Sequence, residues 1–275
     1  MAADSSSASP PAHDSPHSHS PGSLQPTASD PVLPIPGARY PVPDTPLHLI
    51  FDADDTLWEN NIHFEEAIEA FLDFLDHSTL SREDARAALD EIERAHAGAH
   101  GYGARAFARH LRMTYELLAE REVDAASLAT VMGFGERILA MPVALIAGVQ
   151  ETLERLADRH DLHLMTKGQH DEQMRKIRES GLASWFRHVE IVPEKDERAY
   201  RALAAALGLD PARAWMIGNS PKSDINPALA AGLNAVYLPH PATWRLERQE
   251  IRDPGGPGRL VTLERFADLV DVMAW

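Results

Sequence analysis

The 275-residue sequence contains no cysteine, which excludes disulfide bridges and thiolate metal sites. Any metal centre must use oxygen or imidazole ligands. Basic residues are also scarce, with 26 Lys and Arg against 42 Asp and Glu, for a formal net charge of −16. Such a chain repels phosphate backbones and anionic lipid surfaces, and no local basic patch offsets the repulsion. Neither a nucleic-acid polymer nor a membrane is therefore expected as a partner. No apolar run reaches membrane-spanning length, and the N-terminus lacks the basic start and continuous apolar stretch of a secretion signal. The default location is the cytoplasm, and the oligomeric state is left open.

Hydrophobic residues make up 44% of the chain, enough for one large core or a core with a smaller satellite domain. Residues 1–45 stand apart. They are rich in Pro and Ser, with almost no large apolar side chain before Leu33. Such a segment cannot bury enough surface to offset its chain entropy, so it is expected to be a disordered tail. His13, His17 and His19 fall in this stretch and read as parts of a solvated tail.

From residue 47 onward, short apolar runs alternate with helix-period segments. The expected strands are 47–51, 162–166, 188–192, 214–218, 234–238 and 259–263. This rhythm predicts an α/β fold with a doubly wound parallel sheet, a Rossmann-like core spanning 46–58 and 149–275. Residues 59–148 carry only helical patterns and read as an all-helical cap inserted directly after the first strand. Ligands of such sheets bind beyond the C-terminal ends of the strands.

Those ends carry the polar residues. "LHLIFDADDTLWEN" crowds Asp52, Asp54 and Asp55 behind the first strand, where like charges repel and resist desolvation unless something positive sits among them. Thr166 and Lys167 follow the second strand, Lys195 the third, and Asn219, Ser220 and Asp224 the fourth. An oxygen-rich set of this kind suits Mg²⁺ and phosphoryl transfer with a carboxylate nucleophile. A calcium loop fits poorly, because its sixth position is Leu57 where Gly is needed and its twelfth is His63 where Glu is needed.

"IFDADDT", "LMTKG", the lysine of "PEKD" and "GNSPKSD", in this order, resemble the haloacid dehalogenase superfamily, in its phosphatase branch with a helical cap between the first and second motifs. The resemblance runs from about residue 47 to the C-terminus. It implies that Asp52 is the nucleophile and forms an aspartyl-phosphate. Asp54 would then be the acid for the leaving alcohol and later the base for water. Thr166 and Lys195 would hold the phosphoryl oxygens, joined by Lys167 if that side chain reaches the phosphate rather than solvent. Mg²⁺ would be held by the Asp52 side chain, the Asp54 backbone carbonyl and Asp224. Thr56, Asn219 and Ser220 would support the loops, and Asp55, at a variable position, would face solvent. Many relatives have an acidic residue where this chain has Asn219.

The dehalogenases that name the superfamily lack an acid at the Asp54 position, since a halide leaves without a proton. Asp54 thus favours phosphoester hydrolysis. Substrate choice would lie in the cap, where a loop "AHAGAHGYGARAFARH" offers His96, His100, Tyr102, Arg105 and Arg109, with Tyr102 and Arg105 as the candidates for reading the leaving group. The resulting expectation is a Mg²⁺-dependent phosphohydrolase for a small phosphorylated metabolite. A phosphomutase or phosphotransferase of the same superfamily, or a catalytically silent phosphate-binding relative, remains as the alternative.

Overall fold

The computed structural model describes residues 45–252 and 255–274. Residues 1–44, including most of the Pro/Ser-rich segment and its three histidines, lie outside the described residues. β1 (His48–Phe51) buries Leu49, Ile50 and Phe51 completely, because both faces of the strand are covered. It pairs in parallel with β2 (Asp161–Lys167) on one side and β4 (Ala214–Gly218) on the other. With β3 (His188–Val192), β5 (Asn234–Tyr237) and β6 (Leu260–Thr262), the sheet runs in the order β3-β2-β1-β4-β5-β6, every pair parallel. Strand order reverses between β1 and β4, the place where such a sheet opens a crevice. The Asp52 N–H still donates to the Ile217 carbonyl at 2.9 Å, so the chain leaves the sheet right at the first motif residue.

Side-chain alternation divides the core into two layers. Leu49, Phe51, Trp215 and Ile217 pack on one face with Val149, Leu153 and Leu156 of α5 (Val149–Ala157). Ile50, Met165 and Met216 pack on the other, with Tyr200 and Leu203 of the helix Glu197–Leu207.

Between β1 and β2 lie α1 (Asn61–Leu75), α2 (Arg82–His100), α3 (Ala104–Leu118) and α4 (Ala125–Glu136). Ser81 accepts from the Asp84 N–H at 3.1 Å and Asp124 from the Ser127 N–H at 2.7 Å, satisfying backbone donors that the first turns leave free. These helices share their own hydrophobic cluster, including Phe71, Leu89, Phe107, Leu111, Tyr115 and Val131. The two chain segments that join them to the sheet pair with each other: Glu59 N–H donates to the Ala144 carbonyl at 2.9 Å and Ile146 N–H to the Leu57 carbonyl at 3.0 Å. Among the described residues, no helix is long and apolar enough to cross a membrane.

The loop expected at Gly101 and Gly103 is present, and the rest of the stretch 95–110 is helical on both sides of it. Its alanines favour helix, so α2 continues through His100 and α3 resumes at Ala104, and only residues 101–103 turn. The turn is seated on α6 (His170–Glu179): Gly103 has φ +106°, and a Cβ there would run into the Glu172 carboxylate. That carboxylate accepts the Ala104 N–H at 2.8 Å, placing negative charge at the start of α3.

Phe71 is wholly buried in the helical cluster. Phe71→Ala is expected to destabilise the protein by about 3–5 kcal/mol in urea titrations. A loss below about 1 kcal/mol would mean that the helices collapse around the vacancy.

Candidate active site

The C-terminal ends of β1 and β4 and the loop after β3 meet at one nitrogen. Lys195 Nζ donates to Asp52 Oδ1 at 2.5 Å, Asp224 Oδ1 at 2.6 Å and the Met165 carbonyl at 3.3 Å, using all three of its protons. The three side chains are all but closed to solvent, at 4% exposure for Lys195, 5% for Asp52 and 0% for Asp224. Burial opposes the lysine's charge, but the carboxylates of Asp224 and Asp52 outweigh it and hold the ammonium well above its ordinary pKa. Burial, reinforced by the charge of Asp52, pushes the Asp224 carboxyl up to about 7. Asp52 Oδ2 accepts the Thr56 hydroxyl at 2.9 Å, and Asp224 Oδ2 accepts the Ser220 N–H at 2.9 Å.

Asp54 points to a different partner. Lys176 of α6 donates to both of its oxygens, at 2.5 and 2.6 Å, with Trp58 Nε1 at 2.7 Å and Gln173 Nε2 at 2.9 Å completing the shell. Burial alone would raise this carboxyl, yet the charge of Lys176 and the three sets of hydrogen bonds hold it below the usual carboxylate range. Asp54 is therefore kept as an anion at the cavity wall.

Asp55 does not face solvent. At φ +61° it turns inward, is 6% exposed, and accepts the N–H groups of Asn60 and Asn61 at 2.9 Å each, where α1 begins. Desolvation pushes its carboxyl up to about 7. The correction has a backbone cause, because a left-handed residue reverses the direction of the side chain relative to its neighbour.

Lys167 is neither free in solvent nor unattached. Its ammonium donates to Glu247 Oε1 at 2.6 Å and Ser223 Oγ at 2.9 Å, and lies 4.2 Å above the centre of the Tyr102 ring. Glu247, also bound by the Ser220 hydroxyl at 2.5 Å, is held down to about 2 because the charge of Lys167 outweighs the effect of burial. Asn219 sits between the Thr56 hydroxyl, at 3.3 Å, and the Thr243 hydroxyl, at 3.0 Å, rather than on Lys195, whose protons are already engaged.

A cavity of about 160 Å³ joins this cluster to the helices above it. Thr166, Lys167, Lys195, Asn219, Ser220 and Asp224 line its floor, and Tyr102 stands in its wall with its hydroxyl 2.5 Å from Glu194. Arg105 does not line it. Its guanidinium turns away to Asp171 at 2.6 Å and Glu172 at 3.3 Å, tying α3 to α6, so the expected leaving-group role is replaced by a surface ion pair.

The family profile for haloacid dehalogenase-like hydrolases matches residues 47–232. The chain belongs to that family. A solved haloacid dehalogenase-like hydrolase from Xanthomonas campestris superposes with a TM-score of 0.67 at 29% identity, over 84% of this chain and 98% of its own. A 2-haloacid dehalogenase from Pseudomonas syringae pv. Tomato DC3000 shares the fold, with a TM-score of 0.55 at 20% identity over 84% of this chain and 99% of its own. Phosphoserine phosphatase of Thermus thermophilus is 35% identical over 82 residues, which is 28% of this chain. The match spans 33% of that enzyme's length.

At the strand ends the side chains of Asp52, Asp224 and Asn219 all offer oxygens to the cavity lining. Two buried carboxylates share a single ammonium there, an excess of negative charge that a divalent cation fits. A separate trio, Asp55, Glu59 and His240, brings one ligand atom each within 4.8 Å, with His240 Nε2 at 3.3 Å from Glu59.

Sequence reasoning missed Trp58, Gln173, Lys176 and Glu247. Gln173 and Lys176 had a usable signal, since they lie three residues apart on the helix that follows the second motif and so share a face. Glu247 had none, because it comes from a single 3-10 turn, Arg245–Glu247, in the connection between β5 and β6.

Gly218 leaves the room that Asp224 occupies: a Cβ there would run into its carboxylate. Gly218→Ala is expected to cost about 1–3 kcal/mol of stability through overpacking. An unchanged urea midpoint would show that the Asp224 loop yields freely.

Proposed function

We propose that this hydrolase is a Mg²⁺-dependent phosphomonoesterase for a small phosphorylated metabolite, working through an aspartyl-phosphate on Asp52. The observation that carries the reading is the Asp54 carboxylate, held at the wall of the same cavity as Asp52 by Lys176, Gln173 and Trp58. A halide needs no proton to leave, whereas an alkoxide does, and an ionisable group two residues beyond the nucleophile has no use without one. The partial relationship to a phosphoserine phosphatase supports the same reading.

In this mechanism an Asp52 oxygen attacks phosphorus and the bond to the leaving oxygen breaks. Thr56 and Lys195 fix the nucleophile's two oxygens, at 2.9 and 2.5 Å. Thr166 and Lys195 then meet the phosphoryl oxygens. At rest the Asp54–Lys176 pair keeps its proton on the ammonium. Asp54 and Lys176 both line the cavity, so the proton reaches the leaving alkoxide through this pair, and the pair recovers one when water attacks the aspartyl-phosphate. Mg²⁺, held by Asp52, Asp224 and the Asp54 carbonyl, would supply neutralisation of the phosphoryl charge. Asn219 in place of a further carboxylate leaves that site one negative charge lighter.

Hydrolysis of p-nitrophenyl phosphate with Mg²⁺ should be measurable for the wild type and abolished by Asp52→Asn. Activity that survives the substitution would remove Asp52 as nucleophile. Lys176→Met deprives Asp54 of the charge that lowers its pKa. The proton for the leaving alkoxide would then have to come from the Asp54 carboxyl alone, and a carboxyl gives up its proton at lower pH than an ammonium, so the alkaline limb of the kcat/KM profile is expected to move downward and kcat to fall by about 10²-fold, the scale of general acid–base catalysis. An unmoved limb with unchanged kcat would strip Lys176 of this role.

A further inference from the structure

The cavity is polarised. The Lys and Arg side chains that line it, Lys167, Arg175, Lys176 and Lys195, all come from the strand-end half of the molecule, whereas the helical half contributes a single carboxyl, Glu93, among apolar groups and the neutral polar side chains of Asn60, Asn61, Tyr102 and His110. Glu93 lies on α2, 6% exposed, in a wall formed with Phe64, Phe107 and Ile138. The Trp244 side chain hydrogen-bonds to this carboxyl, but Glu93 Oε2 is buried with no partner among the described residues. A buried acceptor left unpaired costs about 1–3 kcal/mol, a penalty that a ligand donor at this place would remove.

Its neighbours favour a positive donor over a neutral one. Arg86 forms its ion pairs with Glu65, at 2.6 Å, and Asp90, at 2.9 Å, and its charge lowers the Glu93 pKa by less than burial and Asp90 raise it. His110, across the same cavity, bonds His100 at 3.3 Å and is uncharged, burial having pushed its imidazole down to about 4. Burial, with the charge of Asp90, pushes the Glu93 carboxyl up to about 8. A cation placed here would favour the charged form of this carboxyl and pair with its unpartnered oxygen.

We infer that Glu93 is a subsite for a protonated amine on the leaving group, so that the preferred substrates are aminoalkyl phosphomonoesters with phosphate at Lys195 and ammonium at Glu93. The inference rests on the phosphomonoesterase reading for the phosphate end, and the apolar wall between the two ends suits a short alkyl linker. Glu93 touches the substrate away from the reacting atoms and acts in specificity.

The test uses phosphonates, which bind without being hydrolysed. Isothermal titration calorimetry with Mg²⁺ would compare aminoethyl to aminopentyl phosphonates with the matching chains that end in methyl or hydroxyl. At its best length the wild type should prefer the amine by about tenfold or more, the scale of one charge-assisted hydrogen bond, and Glu93→Gln should bring the ratio close to one. Equal affinity for amine and methyl chains, an equal preference for hydroxyl, a preference that survives Glu93→Gln, or no binding by any chain would each overturn the subsite. The wild-type comparison stands even if the variant folds poorly. Turnover of p-nitrophenyl phosphate without amine preference would remove the subsite and leave the phosphatase. Amine-selective binding without turnover of any ester would do the reverse.

Discussion

Everything at the strand ends is arranged around the Lys195 ammonium. It has no water to fall back on, and its protons go to Asp52, Asp224 and a backbone carbonyl. Taking three charges out of solvent is costly, and the attraction repays that cost only where the geometry is good and the remaining hydrogen-bonding capacity is filled. Thr56 and the Ser220 N–H do the filling, and Gly218 yields the space. β1, β4 and the loop after β3 are thereby locked to one point at the reversal of strand order. Removing the lysine would leave two unpaired carboxylates buried side by side.

The aspartates that crowd the first motif avoid one another by facing three ways. Asp52 turns to Lys195 and Asp54 to Lys176, while Asp55, with its positive φ, turns to the start of α1. Aspartate tolerates that left-handed backbone better than most residues, and its position at exposed N–H groups compensates part of the conformational cost. Two neighbouring carboxyls thus reach opposite conditions, Asp54 kept charged and Asp55 pushed toward neutrality. The backbone turn between them makes the difference, since their sequence environments are almost the same.

This explains which parts were legible beforehand. The sheet was, because strands buried on both faces show as apolar runs such as "LHLIF" and "AWMIG", and each motif follows one of them. Lys195 and Asp224 could be placed near Asp52 by that logic alone. The direction of Asp55 could not, since positive φ in a non-glycine residue leaves no composition signal. The turn at 101–103 was blurred by its own punctuation, with histidines and arginines on either side that belong to regular helix. Arg105 looked like a ligand reader because of its charge, yet Asp171 and Glu172 on another element claim it. Glu93 was hidden in a different way. It falls on the buried stripe of α2, four residues after Leu89 and eight after Ala85, where a carboxylate is out of place unless something meets it.

The charge of the whole chain sharpens the problem that the cavity solves. At −16 the molecule repels a phosphomonoester at long range, though salt limits that repulsion to about 8–10 Å. Capture then depends on what acts inside the cavity, where low dielectric strengthens each interaction. Lys195 and Lys167 cannot simply be counted as free attraction, because their protons already serve Asp52, Asp224, Ser223 and Glu247. On the proposed reading a substrate bearing an ammonium would change both sides of the balance: its lower net charge would weaken the repulsion on approach, and its cation would meet Glu93 in the helical wall of the cavity. On that reading the acidic chain and the polarised cavity would select against the same ligand, a bare dianion, for reasons that operate at different distances.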